Sequence, residues 1–500
     1  MNIKDDFILK NIHEGYLVGG SIRDFLMGKE VNDIKDRDIT IKGAEKFAKK
    51  LAEQFDATFI TLDNENKIYR LILKDKENYL DIAEMCGNTI EEDLMRRDFT
   101  INAIAYDLKE EKFIDITGGI EDIKNKVIRG IKEENFIDDP LRILRAFRFS
   151  AVTGFKIDND LMDILIKHKE LILKPAKERI HDEIMKLFGG RGKYNWDKYN
   201  GGKYNGGKYN EDEYNGTAKV LLEMLDSGIL EIVFPCVKEI KKIPSNSHHH
   251  LDLIHHVIET VKQIELQYES SEGEVLEHLN KVDFGGYPRI NHLKLAGFLH
   301  DIGKPSTWTI EKDGECIWKY SDMMDYPNDK NYRHRFIKHD LIGAKMVAPI
   351  LKELKFSNKQ IEYISEMIRQ HIYPSSVISA PNADKKIMMR YIRKMGENVI
   401  DNIILAKADR MSAQGPAVTK EMTENNINGL NKLLDFYLEV KPTLKPLPKL
   451  LDGREIMKIL NINQSPILGK IIIELHEAQL NEEVNSKEEA IEFIKKYNSK

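Results

Sequence analysis

The chain has 500 residues, which allows three or four domains of about 100–200 residues each. Hydrophobic residues make up 41% of it, so buried cores are expected, and a formal net charge of −6 excludes bulk charge as the means of attracting nucleic acid. The three cysteines are far apart, which predicts no disulfide framework and suits a reducing cytoplasm. The N-terminus lacks a signal-peptide layout, and no apolar run approaches the ~18 residues of a membrane span. We therefore expect a cytoplasmic protein that has no membrane segment and no evident obligate protein partner.

A pair of glycines interrupts the first strand-like run of the chain. The apolar residues 16–18 stop at Gly19 and Gly20, and a helix-like segment follows at residues 21–26. Adjacent glycines let the backbone approach a ligand closely, and a helix start offers free N–H groups that suit phosphate. The stretch therefore predicts a phosphate-binding turn.

Two aspartates follow on the next predicted strand. Asp36 and Asp38 flank Arg37 and lead into the alternating residues 39–41. Residues two apart on a strand point the same way, so both carboxylates face one side. Such a pair can share hard divalent cations such as Mg²⁺. A phosphate turn beside a metal-binding carboxylate pair is typical of nucleotidyl transfer by two metal ions.

The pattern GGxxRD followed by DxD resembles the nucleotidyltransferase superfamily that contains tRNA nucleotidyltransferases (CCA-adding enzymes) and bacterial poly(A) polymerases. The resemblance implies that Asp36 and Asp38 are catalytic and hold two Mg²⁺ ions. It also implies a nucleotide-binding role for the residues of the glycine motif, which are Gly19, Gly20, Arg23 and Asp24. A third catalytic carboxylate is common in the superfamily, and Asp81 on the predicted strand 79–83 is the candidate; a strand-edge aspartate is the alternative.

A second motif, RRDFTINAIA, begins at Arg96. Arg97 and its neighbour can bind triphosphate oxygens with forked donors, and Asp98 and Asn102 share a face if the segment is helical. The motif looks like the second signature of the same family. The resemblance implies that Arg97, Asp98 and Asn102 contact the sugar and phosphates of the incoming nucleotide.

A third motif, DDPLRILRAFRF, places Asp138 or Asp139 at the cap of a helix that starts near Pro140. An aspartate acceptor beside the donor Arg142 matches the base edge of cytosine and adenine, whereas uracil and guanine show the reverse pattern. A capping aspartate paired with an arginine one turn later is the structural alternative. The motif looks like the nucleobase template of class II CCA-adding enzymes, and Arg145 continues its basic face.

The predicted neck helix at residues 177–188 precedes an insertion at residues 189–216. Tyrosines recur there every five residues among glycine and asparagine, a period of neither helix nor strand. We interpret the segment as a low-complexity insertion between two helices. Stacking of its tyrosines on single-stranded RNA is one alternative, and a tolerated repeat expansion is the other.

Residues 248–412 carry histidines and aspartates on several predicted helices, including the segment HDIGK. This set resembles the HD superfamily of metal phosphohydrolases. The resemblance implies four core metal ligands and two extra histidines found in two-metal members, which are His256, His300, Asp301 and Asp409, then His339 and His371. Such ligands suit Mn²⁺, Ni²⁺, Co²⁺ or Fe²⁺. Lys304 is placed to contact phosphate, and residues 248–250 are either substrate contacts or linker.

The C-terminal region is proline-rich and then helical, and it looks like the tRNA-binding tail of the same nucleotidyltransferases. Its entrance is basic, which suits phosphate contacts. The basic residues concerned are Lys441, Lys445, Lys449, Arg454 and Lys458.

These motifs predict an α/β nucleotidyltransferase head followed by an all-α neck, HD domain and tail. The expected bounds are residues 1–125 for the head, 126–245 for the neck, 246–415 for the HD domain and 416–500 for the tail. The expected function is template-independent addition of C, A or both to the tRNA 3′ end from CTP and ATP, with a second HD phosphohydrolase or cyclic phosphodiesterase activity.

One departure from the family leaves alternatives open. In CCA-adding relatives a flexible loop, associated with the switch from C to A addition, precedes the RRD motif. Here only 12 residues, EMCGNTIEEDLM, separate Ala83 from Arg96. A CC-adding, A-adding or poly(A) polymerase role is therefore an alternative. A further alternative is an RNA-binding HD phosphohydrolase with an inactive head, against which the intact Asp36 and Asp38 argue.

Overall fold

The computed structural model describes residues 3–191, 215–322, 327, 332–380, 385–444, 448–480 and 483–496. The chain divides into two compact units, Met1–Lys238 with Leu351–Phe356, and Glu239–Ile350 with Ser357–Lys500. Among the described residues, no helix combines the length and apolar character needed to cross a membrane.

A seven-stranded sheet organises the first unit, in the order β3-β4-β5-β2-β1-β6-β7. Strands β2 and β5 run parallel and the other neighbours run antiparallel. The strands are Tyr16–Val18 (β1), Asp36–Ile41 (β2), Thr58–Asp63 (β3), Ile68–Ile72 (β4), Tyr79–Glu84 (β5), Ala105–Asp107 (β6) and Lys112–Ile114 (β7). A separate parallel pair joins Val127–Ile128 (β8) to Lys156–Ile157 (β9).

Helices alternate with the strands of this sheet in the head, and the chain is mainly helical after them in the rest of the first unit. In the head, apolar residues at spacings of three and four, Ala44, Phe47, Ala48 and Leu51, are buried on one helix face. The helices of this part are Gly20–Leu26 (α1), Ala44–Phe55 (α2), Ile90–Met95 (α3), Gly119–Asn125 (α4), Glu134–Asp138 (α5), Leu141–Thr153 (α6), Asn159–Lys167 (α7), Lys177–Leu187 (α8), Gly216–Asp226 (α9), Leu230–Val233 (α10) and Val237–Ile240 (α11).

The second unit is mainly helical. Its helices are Leu253–Glu269 (α12), Gly273–Asn280 (α13), Arg289–Leu299 (α14), Lys304–Thr307 (α15), His339–Glu353 (α16), Asn358–Gln370 (α17), Tyr373–Ile378 (α18), Lys385–Met395 (α19), Val399–Ser412 (α20), Lys420–Val440 (α21), Gly453–Leu460 (α22), Pro466–Leu480 (α23) and Lys487–Lys495 (α24). A small antiparallel sheet that the sequence did not suggest lies among them, made of Trp308–Lys312 (β10), Glu315–Lys319 (β11) and Arg333–Phe336 (β12).

Short 3₁₀ turns complete the described elements. They are Ile3–Asp5, Leu9–Asn11, Val31–Asp33, Thr100–Asn102, Lys169–Leu173, Tyr320–Asp322, Gly396–Asn398 and Lys441–Thr443.

The fold class expected from the sequence is confirmed, as an α/β head followed by helices. The predicted strand, glycine pair and helix at residues 16–26 are present as β1 and α1. Most of the low-complexity insertion, residues 192–214, lies outside the described residues, and so does Lys445 of the basic tail. The three last helices share one apolar core that includes Ile456, Leu475 and Ile494.

Candidate functional site

The glycine turn brings the backbone close to the carboxylate of Asp38. Gly19 has a φ of +76°, which favours glycine, and a Cβ placed there would lie 3.1 Å from Asp38 Oδ2 and 3.7 Å from an Arg97 nitrogen. The strand that carries Asp38 is fixed from its other face. Arg37 is fully buried there and donates to Asp6 at 2.9 and 2.5 Å. The alternation of strand β2 thus anchors one face and presents the carboxylates on the other.

Three carboxylates meet beside this turn. Asp38 lies opposite Asp81 in the parallel register of β2 and β5, and oxygens of Asp36, Asp38 and Asp81 lie within 4.8 Å of one another. Burial, followed by repulsion from Asp36 and Asp81, raises the pKa of Asp38 to about 7. Burial, then Asp81, also raises the pKa of Asp36. Hard oxygen donors whose negative charges repel one another fit a divalent cation such as Mg²⁺.

An arginine that the sequence motifs did not include holds the third carboxylate. Arg70 donates to both oxygens of Asp81 at 2.7 Å, and its guanidinium stacks 4.2 Å from the Tyr79 ring centroid. The antiparallel register of β4 and β5 places Arg70 directly opposite Asp81. Asp81 is thus close enough to join the carboxylate pair and is also ion-paired, so the structure favours neither of its two interpretations alone.

The second motif forms a connected polar network. Arg23 donates to Asn102 at 2.8 Å and pairs with Asp24 at 2.7 Å, and Asn102 donates to Asp98 at 3.0 Å. Arg145 donates to Asp98 at 2.8 and 2.5 Å. Burial alone would raise the pKa of Asp98, but Arg145 and then Asn102 hold it below its usual range.

The segment of the second motif is not an α-helix, and Asp98 and Asn102 are nevertheless in contact. Helix α3 ends at Met95, and a 3₁₀ turn at Thr100–Asn102 brings Asn102 to Asp98 instead. Arg97 reaches back and donates to Asp93 at 2.9 Å. A contact at four residues' separation therefore arises without an α-helix.

The third motif also differs in detail from expectation. Asp138 is the exposed last residue of α5 rather than a cap, because Pro140 takes the N-cap position of α6. Asp139 accepts from the backbone N–H of Leu141 at 3.3 Å, and Arg142 donates to the carbonyl of Asn135 at 3.0 Å.

The partner of Asp139 is a neck residue. Arg179 on α8 donates to Asp139 at 2.8 Å. The two residues are 40 positions apart, so no local spacing indicated the pair. The Asp139 and Arg142 side chains are therefore held separately. Asp139, the acceptor, is held by Arg179, and Arg142, the half-buried donor, is held by the carbonyl of Asn135.

The second unit gathers all six predicted HD residues in one place. Five helices position them: α12 and α20 carry His256 and Asp409, α16 begins at His339, and the remaining three residues directly follow the ends of α14 and α17. His256, His300 and Asp301 form one group of potential ligands, Asp301, His339 and His371 form another, and His300, His371 and Asp409 form a third; the ligand atoms of each group lie within 4.8 Å of one another.

Asp301 connects the two ends of this cluster. Its Oδ2 lies 3.3 Å from His256 Nε2 and 3.2 Å from His300 Nε2. Its Oδ1 lies 3.2 Å from His339 Nε2 and 3.9 Å from His371 Nε2. One carboxylate thus offers an oxygen to each of two histidine pairs, an arrangement suited to two neighbouring metal ions.

The donor atoms of the cluster fit a metal. In the described part of the chain, Nε2 of His256, Nε2 of His300 and Oδ1 of Asp301 are buried without a hydrogen bond of good geometry, while Oδ2 of Asp301 is ion-paired with Lys304 at 2.5 Å. The other ring nitrogen of His300 contacts the carbonyl of Gly297 at 2.7 Å, as metal-binding histidines commonly do. Burial alone would raise the pKa of Asp301, but His300 and then Lys304 lower it well below its usual range. A deprotonated carboxylate among imidazole nitrogens suits a transition metal.

Comparisons with known proteins agree with both sites. Residues 15–129 match the family described as the poly A polymerase head domain, and residues 253–414 match the HD domain family. An A-adding tRNA nucleotidyltransferase from Deinococcus radiodurans is 27% identical over 488 residues, covering 96% of this chain and 95% of the relative. A CC-adding tRNA nucleotidyltransferase from Thermus thermophilus is 25% identical over 495 residues, covering 98% and 95%.

Over nearly its whole length the chain is therefore similar to A-adding and CC-adding tRNA nucleotidyltransferases, with a poly A polymerase head domain and an HD domain. The crystal structure of the Bacillus stearothermophilus CCA-adding enzyme in complex with CTP shares the fold, with a TM-score of 0.52 at 19% identity, covering 97% of this chain and 93% of that one. The chain is an enzyme with an α/β head and an HD domain.

Three contacting residues of this nucleotidyltransferase were not among the predicted site residues. Arg70 and Arg179 each pair with a predicted aspartate, as described above, and strand register was the only sequence signal for Arg70. His249 lies beside the HD cluster, with its ring centroid 4.8 Å from that of His256. The run of three histidines at residues 248–250 was its sequence signal.

Proposed function

We propose that this enzyme adds C, A or both to the 3′ end of tRNA without a nucleic-acid template, using CTP and ATP. The observation that carries the proposal is the carboxylate cluster of Asp36 and Asp38 beside the Gly19 turn and Arg97. Mg²⁺ bound by Asp36 and Asp38 would supply charge neutralisation for phosphoryl transfer. The full-length relatives named above act on tRNA, as their names state.

The residues of the head have distinct roles in this proposal. Arg97 and Arg23 bind and orient the triphosphate and sugar, since both guanidinium groups lie beside the glycine turn. Asp139 accepts a base amine and Arg142 donates to a bare ring nitrogen, which selects cytosine and adenine. Arg179 holds the Asp139 carboxylate in position before a nucleotide arrives.

The connection from β5 to α3 favours partial addition over complete CCA synthesis. Only residues 85–89 separate the two elements, and backbone groups there are held by their neighbours. Cys86 N–H donates to Asp93 at 3.0 Å, and a Cβ on Gly87 would lie 2.3 Å from Glu92 Oε2. Little of this segment can move, whereas the loop of CCA-adding relatives is associated with the switch from C to A.

The test is addition to defined tRNA ends. Purified enzyme receives tRNA that lacks its end, or that ends in C or CC, with CTP and ATP separately and together, and products are sized on a gel. Two added nucleotides with CTP alone and none with ATP indicate CC addition; one added to a CC end with ATP indicates A addition. Long ATP-dependent ladders would identify a poly(A) polymerase, and no product from any end would refute nucleotidyl transfer.

The HD cluster supports a second proposed activity, hydrolysis of a phosphoester such as a 2′,3′-cyclic phosphate. The supporting observation is the convergence of six potential ligands, Asp301 among them, with the Nε2 atoms of His256 and His300 buried and without a hydrogen bond of good geometry among the described residues. Bound Mn²⁺, Ni²⁺, Co²⁺ or Fe²⁺ would supply an activated water there. Lys304 lies 2.5 Å from Asp301 and is placed to bind the phosphate. Metal analysis and hydrolysis of a 2′,3′-cyclic nucleotide test the proposal.

We also propose a cytoplasmic location. The supporting observation is that Cys86, Cys236 and Cys316 are all free thiols. Fractionation of cells that produce the protein, with detection by antibody, tests this location.

A further inference from the structure

We propose that His249 accepts a hydrogen bond from a sugar hydroxyl that neighbours the phosphate of a ligand in the HD site. The proposal rests on the proposed phosphohydrolase activity and concerns its nucleoside 2′- or 3′-monophosphate ligands, because a 2′,3′-cyclic phosphate has no free neighbouring hydroxyl until its ring is opened. It assigns a role to one residue of the histidine run at residues 248–250. It makes the site selective for a ribose phosphate with a free adjacent hydroxyl over bare phosphate.

The position of His249 is fixed by the backbone around it. The carbonyl of His248 accepts from Gly415 N–H at 2.8 Å, and that of Ser247 accepts from Ala417 N–H at 2.8 Å. A Cβ on Gly415 would lie 2.4 Å from the carbonyl carbon of His248, so the two segments are in close contact. Gly415 follows the helix that carries Asp409, and the histidine run is therefore held beside the metal ligands.

The hydrogen bonds of Asn246 fix which ring nitrogen of His249 carries the proton. The side-chain oxygen of Asn246 accepts from the backbone N–H groups of His248 at 2.9 Å and His249 at 3.1 Å. Since only an oxygen can accept from both, the orientation of this amide is determined. The same oxygen lies 3.3 Å from His249 Nδ1. This contact, with Lys304 Nζ 3.4 Å from Nε2, assigns the proton to Nδ1 and leaves Nε2 a bare acceptor.

The unprotonated Nε2 of His249 faces the cluster of HD ligands. His249 Nε2 accepts from Lys304 Nζ at 3.4 Å, and the same Nζ lies 2.5 Å from Asp301 Oδ2. The side chains of Asp409 and His339 are 28% and 13% exposed and His249 is half-buried, whereas His256, His300 and Asp301 are inaccessible, so the side of His249 and Asp409 is open to a ligand.

The chemistry of the two groups determines what they recognise. Lys304 is a cation with three donors and suits phosphate oxygens. A bare imidazole nitrogen cannot bond to those oxygens, because both are acceptors, but it can accept from a hydroxyl. When phosphate engages Lys304, Nε2 becomes available to a hydroxyl near the phosphate. Nucleoside 2′- and 3′-monophosphates carry such a hydroxyl on the neighbouring carbon.

The test is equilibrium binding to metal-loaded protein by calorimetry. The ligands are inorganic phosphate and two phosphonate analogues of a nucleoside 2′-monophosphate, one with and one without the 3′-hydroxyl; their P–C bond resists hydrolysis. We expect wild-type protein to bind the hydroxyl-bearing analogue roughly fivefold to tenfold more tightly than the deoxy analogue, as for one hydrogen bond. His249→Ala should abolish this preference while leaving the metal content and the affinity for phosphate unchanged.

Three further variants separate the roles. His249→Gln, which offers an acceptor oxygen, should restore part of the preference. The exposed neighbour His248→Ala is the matched control and should keep the full preference. Lys304→Met should weaken all three ligands. A preference that survives in His249→Ala overturns the inference, and so does lost metal, which would make His249 a ligand.

Different results would refute the role of His249 and the proposed phosphohydrolase activity on which it rests. Wild-type protein that binds both analogues equally well refutes the role of His249 alone. Metal-loaded wild-type protein that binds none of the three ligands refutes the phosphohydrolase itself and the inference with it. Equal loss of all three ligands in His249→Ala would show a merely structural residue and would also overturn the inference.

Discussion

Replacing Asp38 by Asn should stabilise the metal-free head while destroying its activity. The carboxyl pKa of Asp38 is raised from 3.8 to about 7 by burial and by its neighbours. Each tenfold change in an acid constant is worth about 1.4 kcal/mol, so the ionised group costs about 4 kcal/mol, and solvent relaxation at a half-buried site reduces this to about 2 kcal/mol. In the compact unit that contains the head, Met1–Lys238 with Leu351–Phe356, a gain of about 2 kcal/mol in unfolding free energy corresponds to a melting temperature about 4–8 °C higher in the variant.

The sign of the pH dependence follows from the raised pKa. Below the unfolded pKa of 3.8 both states are protonated and the penalty is absent; it grows as the pH rises and is complete above about pH 7. The advantage of Asp38→Asn in chelator should therefore be large near pH 8, intermediate near pH 5 and small near pH 4. Mg²⁺ should raise the melting temperature of the wild-type head at pH 8 and should have little effect on the variant.

Differential scanning calorimetry and nucleotide addition test this prediction together. The exposed carboxylate variant Glu65→Gln is the control and should change neither the melting temperature nor the response to Mg²⁺. Asp38→Asn should lose nucleotide addition while tRNA binding, measured by filter retention, largely survives. Equal melting of wild type and Asp38→Asn in chelator at pH 8 would refute the electrostatic reasoning. Near-normal incorporation by Asp38→Asn would refute the assignment of the metal site.

Three further outcomes follow from the structure. Arg142→Ala should reduce discrimination against UTP and GTP by on the order of a hundredfold, with a smaller effect on triphosphate affinity; unchanged incorporation ratios for the four nucleotides would contradict its role as a template. Asp301→Ala should lose HD metal and phosphohydrolase activity and keep nucleotide addition, checked by metal analysis and both assays; equal loss of both activities would contradict two independent centres. Replacing residues 192–214 by a short linker should preserve melting temperature and catalysis, because Thr217 donates to the carbonyl of Leu187 at 3.1 Å and the flanking helices therefore already meet; lost tRNA affinity would instead support the RNA-stacking alternative.

Local patterns in the sequence predicted the head well. The spacing of Asp36 and Asp38 on a strand determines their common face, and this needs no knowledge of distant residues. The shared face of Asp98 and Asn102 was predicted only for a helical segment, and a 3₁₀ turn brings the two side chains together instead.

Contacts between residues far apart in the chain could not be predicted from local sequence patterns. Arg179 reaches Asp139 only because α8 packs against α6, and nothing in their local sequences records that packing. The HD residues span positions 256 to 409, so resemblance rather than spacing brought them together in the prediction. The role of His249 depends on the hydrogen bonds of Asn246, which become visible only when the backbone is placed.

The shared carboxylate of Asp301 has a consequence for how the HD centre fills with metal. The end of the cluster near His256 and His300 also has Asp409, which lies 3.2 Å from His256, and so offers two carboxylates. Among the described residues, the end near His339 and His371 has the second oxygen of Asp301, and Asp409 lies within 4.8 Å of His371 as well as of His300. Both carboxylates lie within 3.3 Å of His256, so a scarce metal should occupy that end first, and the second equivalent should bind more weakly against the charge of the first. Protein purified with one equivalent would then be a uniform population of half-filled centres rather than a mixture of full and empty ones.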